Sequence, residues 1–359
     1  MLSPSTINFY SCFTLSERAS KSLCTCRAFL ISAVKYGLEI HRKGDIITHT
    51  KLDHYDSLGR LNHTIAATQF RFGQDKTLKG IEYIHGVFAM QLTTHQLNFF
   101  HTFGYLVFRE LFGPDEIAWI IDEFEDVMQT YAGGKMHDGS KPTMIVPTID
   151  HSERLCTLLD DARIEGIASG ILGDGFNYAS GDGNYYCGDT DWHTDGNYPE
   201  LFAIKMVFYL DRLTRDTGCL RVLPGSHRRD SIWRSGEIHP RDAQHLWGFS
   251  PSEIPGAAAL ATNPGDLVVF YHDILHASFG GSTQRRMFTM NLNKHAATES
   301  EMARIDEYVR GHCPVAHGFK IGGMYTELML NTASPQRMRH LAQLHERHAL
   351  VYPRDTRHS

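Results

Sequence analysis

Three residues, His193, Asp195 and His276, have the types and spacing of a metal site with open coordination positions. His193 and Asp195 are two apart, and residues two apart in a strand project from the same face. His276 follows a turn and an apolar strand within residues 263–276. Two imidazoles and one carboxylate on one side of a metal are typical of non-haem Fe(II) oxygenases, because the opposite positions stay open. The pattern therefore predicts an iron site that a co-substrate and dioxygen can both reach.

Other interpretations of these side chains exist. A histidine and an aspartate two apart occur often by chance, and each histidine alone is typical of an ordinary strand position. His272 lies four residues before His276 and is a competing ligand. The joint occurrence of the pair and a distal histidine after an apolar strand favours the metal site.

An oxygenase of this kind that uses 2-oxoglutarate needs a cation for the far carboxylate of that co-substrate. Arginine suits this role, because its planar guanidinium binds a carboxylate through two parallel hydrogen bonds. After His276 the chain turns at Gly280-Gly281 and returns through Arg285 and Arg286. Alternation predicts that one arginine faces the pocket and the other faces solvent. It also places the Ser278 hydroxyl on the face of His276, where it can support the same carboxylate.

Lys205 is a further candidate for binding an anion. It alternates with apolar neighbours and shares a strand face with Val207 and Tyr209. If that face is the interior, Lys205 is a buried cation that requires an acidic partner such as 2-oxoglutarate or an anionic substrate. The alternative is a lysine at a strand end that reaches solvent. Asn184 and Tyr186 share a strand face leading to the site, either lining it or packing within the sheet.

The elements that must position these residues are short strands preceded and followed by helices. Apolar periodicity of 3.6 predicts the helices, and period 2 between Gly, Pro and Asp turns predicts the strands. This order indicates a mainly β fold, a sandwich or open barrel with helices packed outside. The predicted helices are 91–101, 114–131, 152–172, 299–310 and 335–348, and the predicted strands are 183–187, 202–210, 219–223, 266–271, 274–279 and 285–292.

Residues 1–89 differ from residues 90–359. The first 35 residues carry seven serines and four basic residues but one acid, Glu17, which overlaps with the composition of a transit peptide. Residues 36–89 show no sustained period. We therefore expect a poorly ordered or weakly structured N-terminal extension, followed by one domain that continues into C-terminal helices.

Composition excludes several classes of protein. With 42% hydrophobic and 21% charged residues, the 359-residue chain is typical of a globular protein. A net charge of −6 argues against nucleic acid as a partner, and no apolar run approaches the roughly 18–20 residues of a membrane helix. Seven scattered cysteines indicate a reducing compartment, so we expect a cytoplasmic location unless residues 1–35 direct import. The partner expected is a small-molecule substrate; the sequence predicts no oligomeric state.

Residues of about 90–295 resemble the phytanoyl-CoA dioxygenase family of Fe(II)/2-oxoglutarate oxygenases. The motifs that carry the resemblance occur in order: Leu92-Thr93, Gly104-Tyr105-Leu106-Val107, Phe112-Gly113-Pro114-Asp115-Glu116-Ile117, Trp192-His193-Thr194-Asp195, the segment from Thr217-Gly218-Cys219 to Pro224-Gly225-Ser226-His227, and the segment from Pro264-Gly265-Asp266 to His276-Ala277-Ser278.

The resemblance implies a double-stranded β-helix (jelly-roll, cupin-like) core and assigns roles. His193, Asp195 and His276 correspond to the iron ligands, which favours His276 over His272. Ser278 corresponds to the family's serine, and Arg285 to its 2-oxoglutarate arginine. The loop before Arg285 is shorter than the common family form, so Arg286 remains a second choice.

The expected function is a dioxygenase that uses Fe(II), 2-oxoglutarate and dioxygen to hydroxylate a small organic metabolite, with 2-oxoglutarate decarboxylated to succinate. Asp195 favours oxygen transfer over halogenation, since halogenating relatives have lost this carboxylate. Two alternatives stay open. The same chemistry can drive desaturation or epoxidation, and a non-redox metal-binding β-helix protein can serve as a ligand-binding or sensing module.

Overall fold

The computed structural model describes residues 90–132, 137–198, 200, 202–236, 238–281 and 285–353, together with the backbone of three earlier strands. The chain divides into two compact units, residues 1–81 and 82–359. In the first unit, β1 (Leu38–Lys43), β2 (Ile46–Lys51) and β3 (Thr68–Arg71) form an antiparallel sheet in that order. These strands were not predicted, because residues 36–89 lack a sustained period. The suggested import segment, residues 1–35, lies outside the described residues, and the predicted boundary at residue 89 stays a prediction.

The helices of the second unit begin where side chains satisfy free backbone N–H groups. The Thr93 hydroxyl accepts from the Gln96 N–H, and the Thr298 hydroxyl accepts from the Glu301 N–H. Such caps stabilise helix starts by about 1 kcal/mol. The helices are α1 (Thr94–Phe103), α2 (Pro114–Tyr131), α3 (Glu153–Cys156), α4 (Ala162–Leu172), α5 (Ala243–Trp247), α6 (Glu299–His312), α7 (Glu327–Asn331) and α8 (Pro335–Val351).

The strands of the second unit form two antiparallel sheets. The smaller has the order β11-β10-β13-β8, and the larger has the order β4-β12-β9-β14-β7-β5, with β6 also paired to β14. The predicted double-stranded β-helix with flanking helices is confirmed. The strands are β4 (Tyr105–Phe108), β5 (Thr143–Ile145), β6 (Phe176–Tyr178), β7 (Gly183–Tyr186), β8 (Thr190–His193), β9 (Ala203–Tyr209), β10 (Leu220–Val222), β11 (Ala258–Leu260), β12 (Leu267–Tyr271), β13 (His276–Ser278) and β14 (Arg285–Lys294).

The two faces of strand β9 contribute side chains to two different hydrophobic clusters. Its alternate residues Met206 and Phe208 pack in the cluster shared with the helices. Val207 and Tyr209 belong to the cluster between the two sheets. Because side chains alternate along a strand, Lys205 also points to the inside of the sandwich. The inner face of β9 therefore delivers a cation toward the same interior as the apolar side chains.

The predicted helix at 152–172 is in fact two α-helices. The first, α3, ends at Cys156 and is followed by a 3₁₀ turn. The second, α4, begins after Asp161, whose carboxylate accepts from the Arg163 N–H at 2.8 Å. The single predicted helix was wrong because Asp161 caps the start of a second helix within a sequence whose apolar residues continue at helical spacing. Within the described part of the chain, no helix is both long and apolar enough to cross a bilayer.

Candidate metal centre

Adjacent strands of the smaller sheet bring the two candidate histidines together. Strand β13 pairs antiparallel with β8, and His276 is the register partner of His193. The centroids of the two imidazole rings lie 4.2 Å apart. Asp195 follows β8, and its N–H donates to the His272 carbonyl at 2.8 Å. One ligand atom from each of His193, Asp195 and His276 lies within 4.8 Å of the others.

Both rings are oriented by the same local contact. His193 Nδ1 lies 2.7 Å from the Asp191 carbonyl oxygen, and His276 Nδ1 lies 3.0 Å from the Ile274 carbonyl oxygen. A carbonyl only accepts hydrogen bonds, so each Nδ1 carries the proton and each Nε2 keeps a free lone pair. Metal-binding histidines ordinarily donate their other ring N–H to a carbonyl or carboxylate in this way, which fixes the orientation of the ring.

The Asp195 carboxylate faces both Nε2 atoms. Its Oδ1 lies 3.8 Å from His193 Nε2, and its Oδ2 lies 3.6 Å from His276 Nε2. A metal ion bound between these atoms would have two imidazole nitrogens and one carboxylate as ligands on one side. This donor set suits Fe(II). The three predicted ligands therefore lie together with compatible donor atoms.

Electrostatics hold these groups in the protonation states that a metal requires. Burial lowers the pKa of His276 to about 4, against the opposing attraction of Asp195. Burial by itself would raise the pKa of Asp195, but the nearby Lys205 ammonium, with His276, outweighs it and lowers that pKa well below its usual range. A neutral imidazole and an ionised carboxylate are the ligand forms that bind a cation.

His272, the competing ligand, makes a different contact. Its Nε2 lies 3.2 Å from Asn291 Oδ1, and its side chain is buried. Burial lowers the pKa of His272 to about 3. His272 therefore contacts the Asn291 amide, whereas His276 is the histidine that lies with His193 and Asp195.

Arg285 lies inside the sandwich beside Ser278. Arg285 is 3% exposed, and its Nη1 donates to the Gly218 carbonyl at 2.8 Å and to the Ser278 hydroxyl. The Ser278 hydroxyl donates to the same carbonyl at 2.8 Å. The guanidinium carbon lies 5.1 Å from the centroid of the Tyr186 ring. Buried Arg285 Nε has no hydrogen-bond partner among the described residues, so a donor remains for an anion.

Arg286 points to the opposite side of β14. Its guanidinium forms ion pairs with Asp211 at 2.6 Å and with Glu125 at 2.9 Å. Two acids therefore already neutralise Arg286 outside the sandwich. The two arginines therefore lie on opposite sides of β14, and Arg285 is the one that points into the sandwich.

Lys205 has an acidic partner, Asp195, that the sequence did not predict. Its Nζ lies 2.8 Å from Asp195 Oδ2, and both side chains are 16% exposed. The alternative of a lysine reaching solvent does not describe this side chain. A contact between Lys205 and 2-oxoglutarate stays a prediction. The opposite charges of Lys205 and Asp195 were the available signal, but the sequence does not specify how the two sheets that carry them stack.

The sequence did not predict Asp182, a carboxylate close to Lys205. Asp182 accepts a hydrogen bond from the Thr289 hydroxyl at 2.6 Å and another from the Asn184 amide. Asp182 lies in the turn before β7, and no motif marks it. Asn184 was a candidate lining residue, and the structure engages its amide with this carboxylate.

A cavity of about 340 Å³ lies beside the loops that carry the candidate ligands. Two of its lining residues, Tyr198 and Asp273, each lie three positions from a candidate ligand in the chain. The Tyr198 N–H donates to the Asp273 carboxylate at 2.7 Å, which joins the two loops. The full lining is His101, Tyr198, Glu200, His227, Arg228, Arg229, Asp230, Tyr271 and Asp273.

Comparison with known proteins identifies the family. Residues 100–288, more than half of the chain, match the family model described as phytanoyl-CoA dioxygenase (PhyH). The chain belongs to the phytanoyl-CoA dioxygenase family. The resemblance inferred from the motifs is thereby confirmed, and the chain is an oxygenase of the iron- and 2-oxoglutarate-dependent class. The ectoine dioxygenase of Sphingopyxis alaskensis is 25% identical over 231 residues, which are 54% of this chain and 72% of that protein.

Solved structures of similar fold include the following three. The α-ketoglutarate-dependent carbocyclase SnoK from nogalamycin biosynthesis is 18% identical, with a TM-score of 0.46 over 59% of this chain and 90% of that chain. EctD from S. alaskensis with 2-oxoglutarate and 5-hydroxyectoine is 22% identical, with a TM-score of 0.45 over 60% and 79%. HygX from Streptomyces hygroscopicus with nickel and 2-oxoglutarate is 18% identical, with a TM-score of 0.46 over 58% and 90%.

Proposed function

We propose that this phytanoyl-CoA dioxygenase family member hydroxylates a small organic metabolite, with iron held by His193, Asp195 and His276. The observation that carries the proposal is the convergence of their ligand atoms to within 4.8 Å, with both histidine Nε2 atoms facing the Asp195 carboxylate. Three protein ligands on one side of Fe(II) leave positions for 2-oxoglutarate and dioxygen. When bound, the iron supplies the oxidising chemistry.

Arg285 is the proposed anchor for the far carboxylate of 2-oxoglutarate. It is a buried guanidinium with a free Nε donor. Ser278 supports this role, because its hydroxyl contacts Arg285 Nη1 and the Gly218 carbonyl. These contacts hold the guanidinium in one orientation before the co-substrate arrives, so less side-chain entropy is lost on binding.

The proposed reaction consumes one dioxygen and one 2-oxoglutarate for each substrate hydroxylated. One oxygen atom enters the succinate formed when 2-oxoglutarate loses CO₂, and the other replaces a substrate C–H bond with C–OH. Oxygen transfer is favoured over halogenation because Asp195 supplies the carboxylate in the ligand group.

The test is a screen of small metabolites for iron-dependent release of succinate from 2-oxoglutarate, followed by mass analysis of the stimulating compound. The expected product contains one added oxygen atom, and His276→Ala is expected to abolish succinate release. His276→Ala is a cleaner control than Asp195→Ala, which would also leave the buried Lys205 unpaired. A product with two fewer hydrogen atoms than the substrate would show that the reaction is desaturation and not hydroxylation. Iron binding without succinate release under any condition would indicate a non-redox binding module.

A further inference from the structure

Lys205 contacts one particular oxygen of the Asp195 carboxylate. Its Nζ lies 2.8 Å from Oδ2, with each side chain 16% exposed. The other oxygen, Oδ1, faces His193 Nε2 at 3.8 Å. Oδ2 also faces His276 Nε2 at 3.6 Å and has no hydrogen-bond partner among the described residues, so the lysine acts on Oδ2 through its charge and makes the two oxygens unequal donors to a metal.

The backbone of Lys205 is held between two neighbouring strands. On β9 its register partners are Phe270 of β12 on one side and Asn291 of β14 on the other. Because β9 is a central strand of the larger sheet, the side chain projects from a rigid backbone. A buried cation held by a sheet retains its position far better than one on a loop.

We propose that Lys205 is a positioning residue that keeps Asp195 a one-oxygen ligand of the iron. This inference rests on the proposed function. By engaging Oδ2, the ammonium leaves Oδ1 for the metal and opposes coordination through both oxygens. A carboxylate that binds through both oxygens occupies one more coordination position. In a site with three protein ligands and a two-atom co-substrate, that position is the one dioxygen needs.

The charge of Lys205 has a second consequence. An ammonium near a metal-binding carboxylate repels a divalent cation and weakens the carboxylate as a donor. Lys205 therefore lowers the affinity for metal while it keeps a position open. A residue with a merely structural role would do the reverse, because its removal would loosen the site and weaken metal binding.

The experiment compares the full-length chain with Lys205→Met and Lys205→Arg, using Co(II) and 2-oxoglutarate without dioxygen. Metal affinity is measured by equilibrium titration, and coordination number by visible absorption, which is stronger for five-coordinate than for six-coordinate Co(II). Lys205→Met is expected to bind Co(II) about tenfold more tightly, with weaker absorption. Lys205→Arg keeps the cation and is expected to resemble the wild type in both readouts.

Controls separate the possible failures. Arg286→Met removes another cation from the larger sheet. Because the Arg286 guanidinium is paired with Asp211 and Glu125 and not with Asp195, this variant is expected to leave both the Co(II) affinity and the absorption unchanged. If Lys205→Met does not fold, Lys205→Gln replaces it. Weaker or unchanged Co(II) affinity with unchanged absorption in the neutral variant overturns the role of Lys205 alone. Failure of the wild type to bind Co(II) overturns the proposed function instead.

Discussion

His193 and His276 share one local contact that determines what their rings can do. In each, Nδ1 lies within hydrogen-bonding distance of the backbone carbonyl two residues earlier, at 2.7 and 3.0 Å. The backbone of each segment therefore selects the tautomer, without help from a distant residue. The tautomer of each ring is consequently set within a short segment of the chain.

The two arginines of β14 provide a residue-scale prediction. Arg285→Ala is expected to raise the half-saturating concentration of 2-oxoglutarate roughly 10- to 100-fold, because charge-assisted hydrogen bonds contribute about 1.5–3 kcal/mol each. Arg286→Ala is expected to change it less than about twofold and to lower the free energy of unfolding by about 1 kcal/mol, since its pairs are with Asp211 and Glu125. Succinate formation at varied 2-oxoglutarate measures the first effect and urea unfolding the second. The opposite ranking would show that Arg286 is the anchor.

At the scale of elements, the turn before β10 positions the arginine. Gly218 has a φ of +88° in this turn, and its carbonyl accepts from Arg285 Nη1 at 2.8 Å. A methyl group added to Gly218 would overlap with Arg285 Nη1 and would lie 2.9 Å from Gly281 Cα. The backbone therefore approaches the guanidinium more closely than any side chain would permit.

Gly218→Ala is expected to displace Arg285 and raise the 2-oxoglutarate requirement at least about tenfold. Gly236→Ala is the matched control, because Gly236 has a φ of +77° and no atom within 4 Å of an added methyl group. Both variants incur the left-handed backbone cost of about 1–2 kcal/mol, so Gly236→Ala measures that cost without the steric overlap that Gly218→Ala adds. Equal 2-oxoglutarate requirements in the two variants would contradict the positioning role of the turn.

The elements that the sequence predicted are those with a clear period. Strands β7, β9, β12 and β14 are each four or more residues long, and the predicted ranges match them closely. The three-residue strands β5, β6 and β11 were missed, whereas the equally short β10 and β13 were predicted because they lie within the longer runs 219–223 and 274–279. The contact of Lys205 with Asp195 was also missed, since it depends on how two sheets stack and not on either segment alone.

At the scale of the whole molecule, the helical layer buries an acid away from the candidate metal centre. Asp150 is fully buried. Its Oδ1 accepts from the Tyr178 hydroxyl at 2.9 Å, and its Oδ2 has no hydrogen-bond partner among the described residues. Burial raises the pKa of Asp150 to about 7. The fold therefore favours the protonated acid.

This raised pKa predicts how stability depends on pH. The unfolded chain releases the Asp150 proton near pH 4 and the folded chain near pH 7, so the folded state binds more protons between these values. The free energy of unfolding should therefore fall as pH rises through this window. Asp150→Asn removes the titration and is expected to gain about 2–3 kcal/mol relative to the wild type between pH 5 and pH 8. Urea unfolding at both pH values measures this, and an equal difference at pH 5 and pH 8 would contradict it.

Anaerobic titration with Fe(II) tests the central claim most directly. The wild-type chain is expected to bind one iron ion per chain at the group formed by His193, Asp195 and His276. His276→Ala is expected to lower the iron affinity at least about tenfold, while Arg286→Ala keeps wild-type affinity. Wild-type iron affinity and stoichiometry in a folded His276→Ala variant would contradict the assignment of the metal centre.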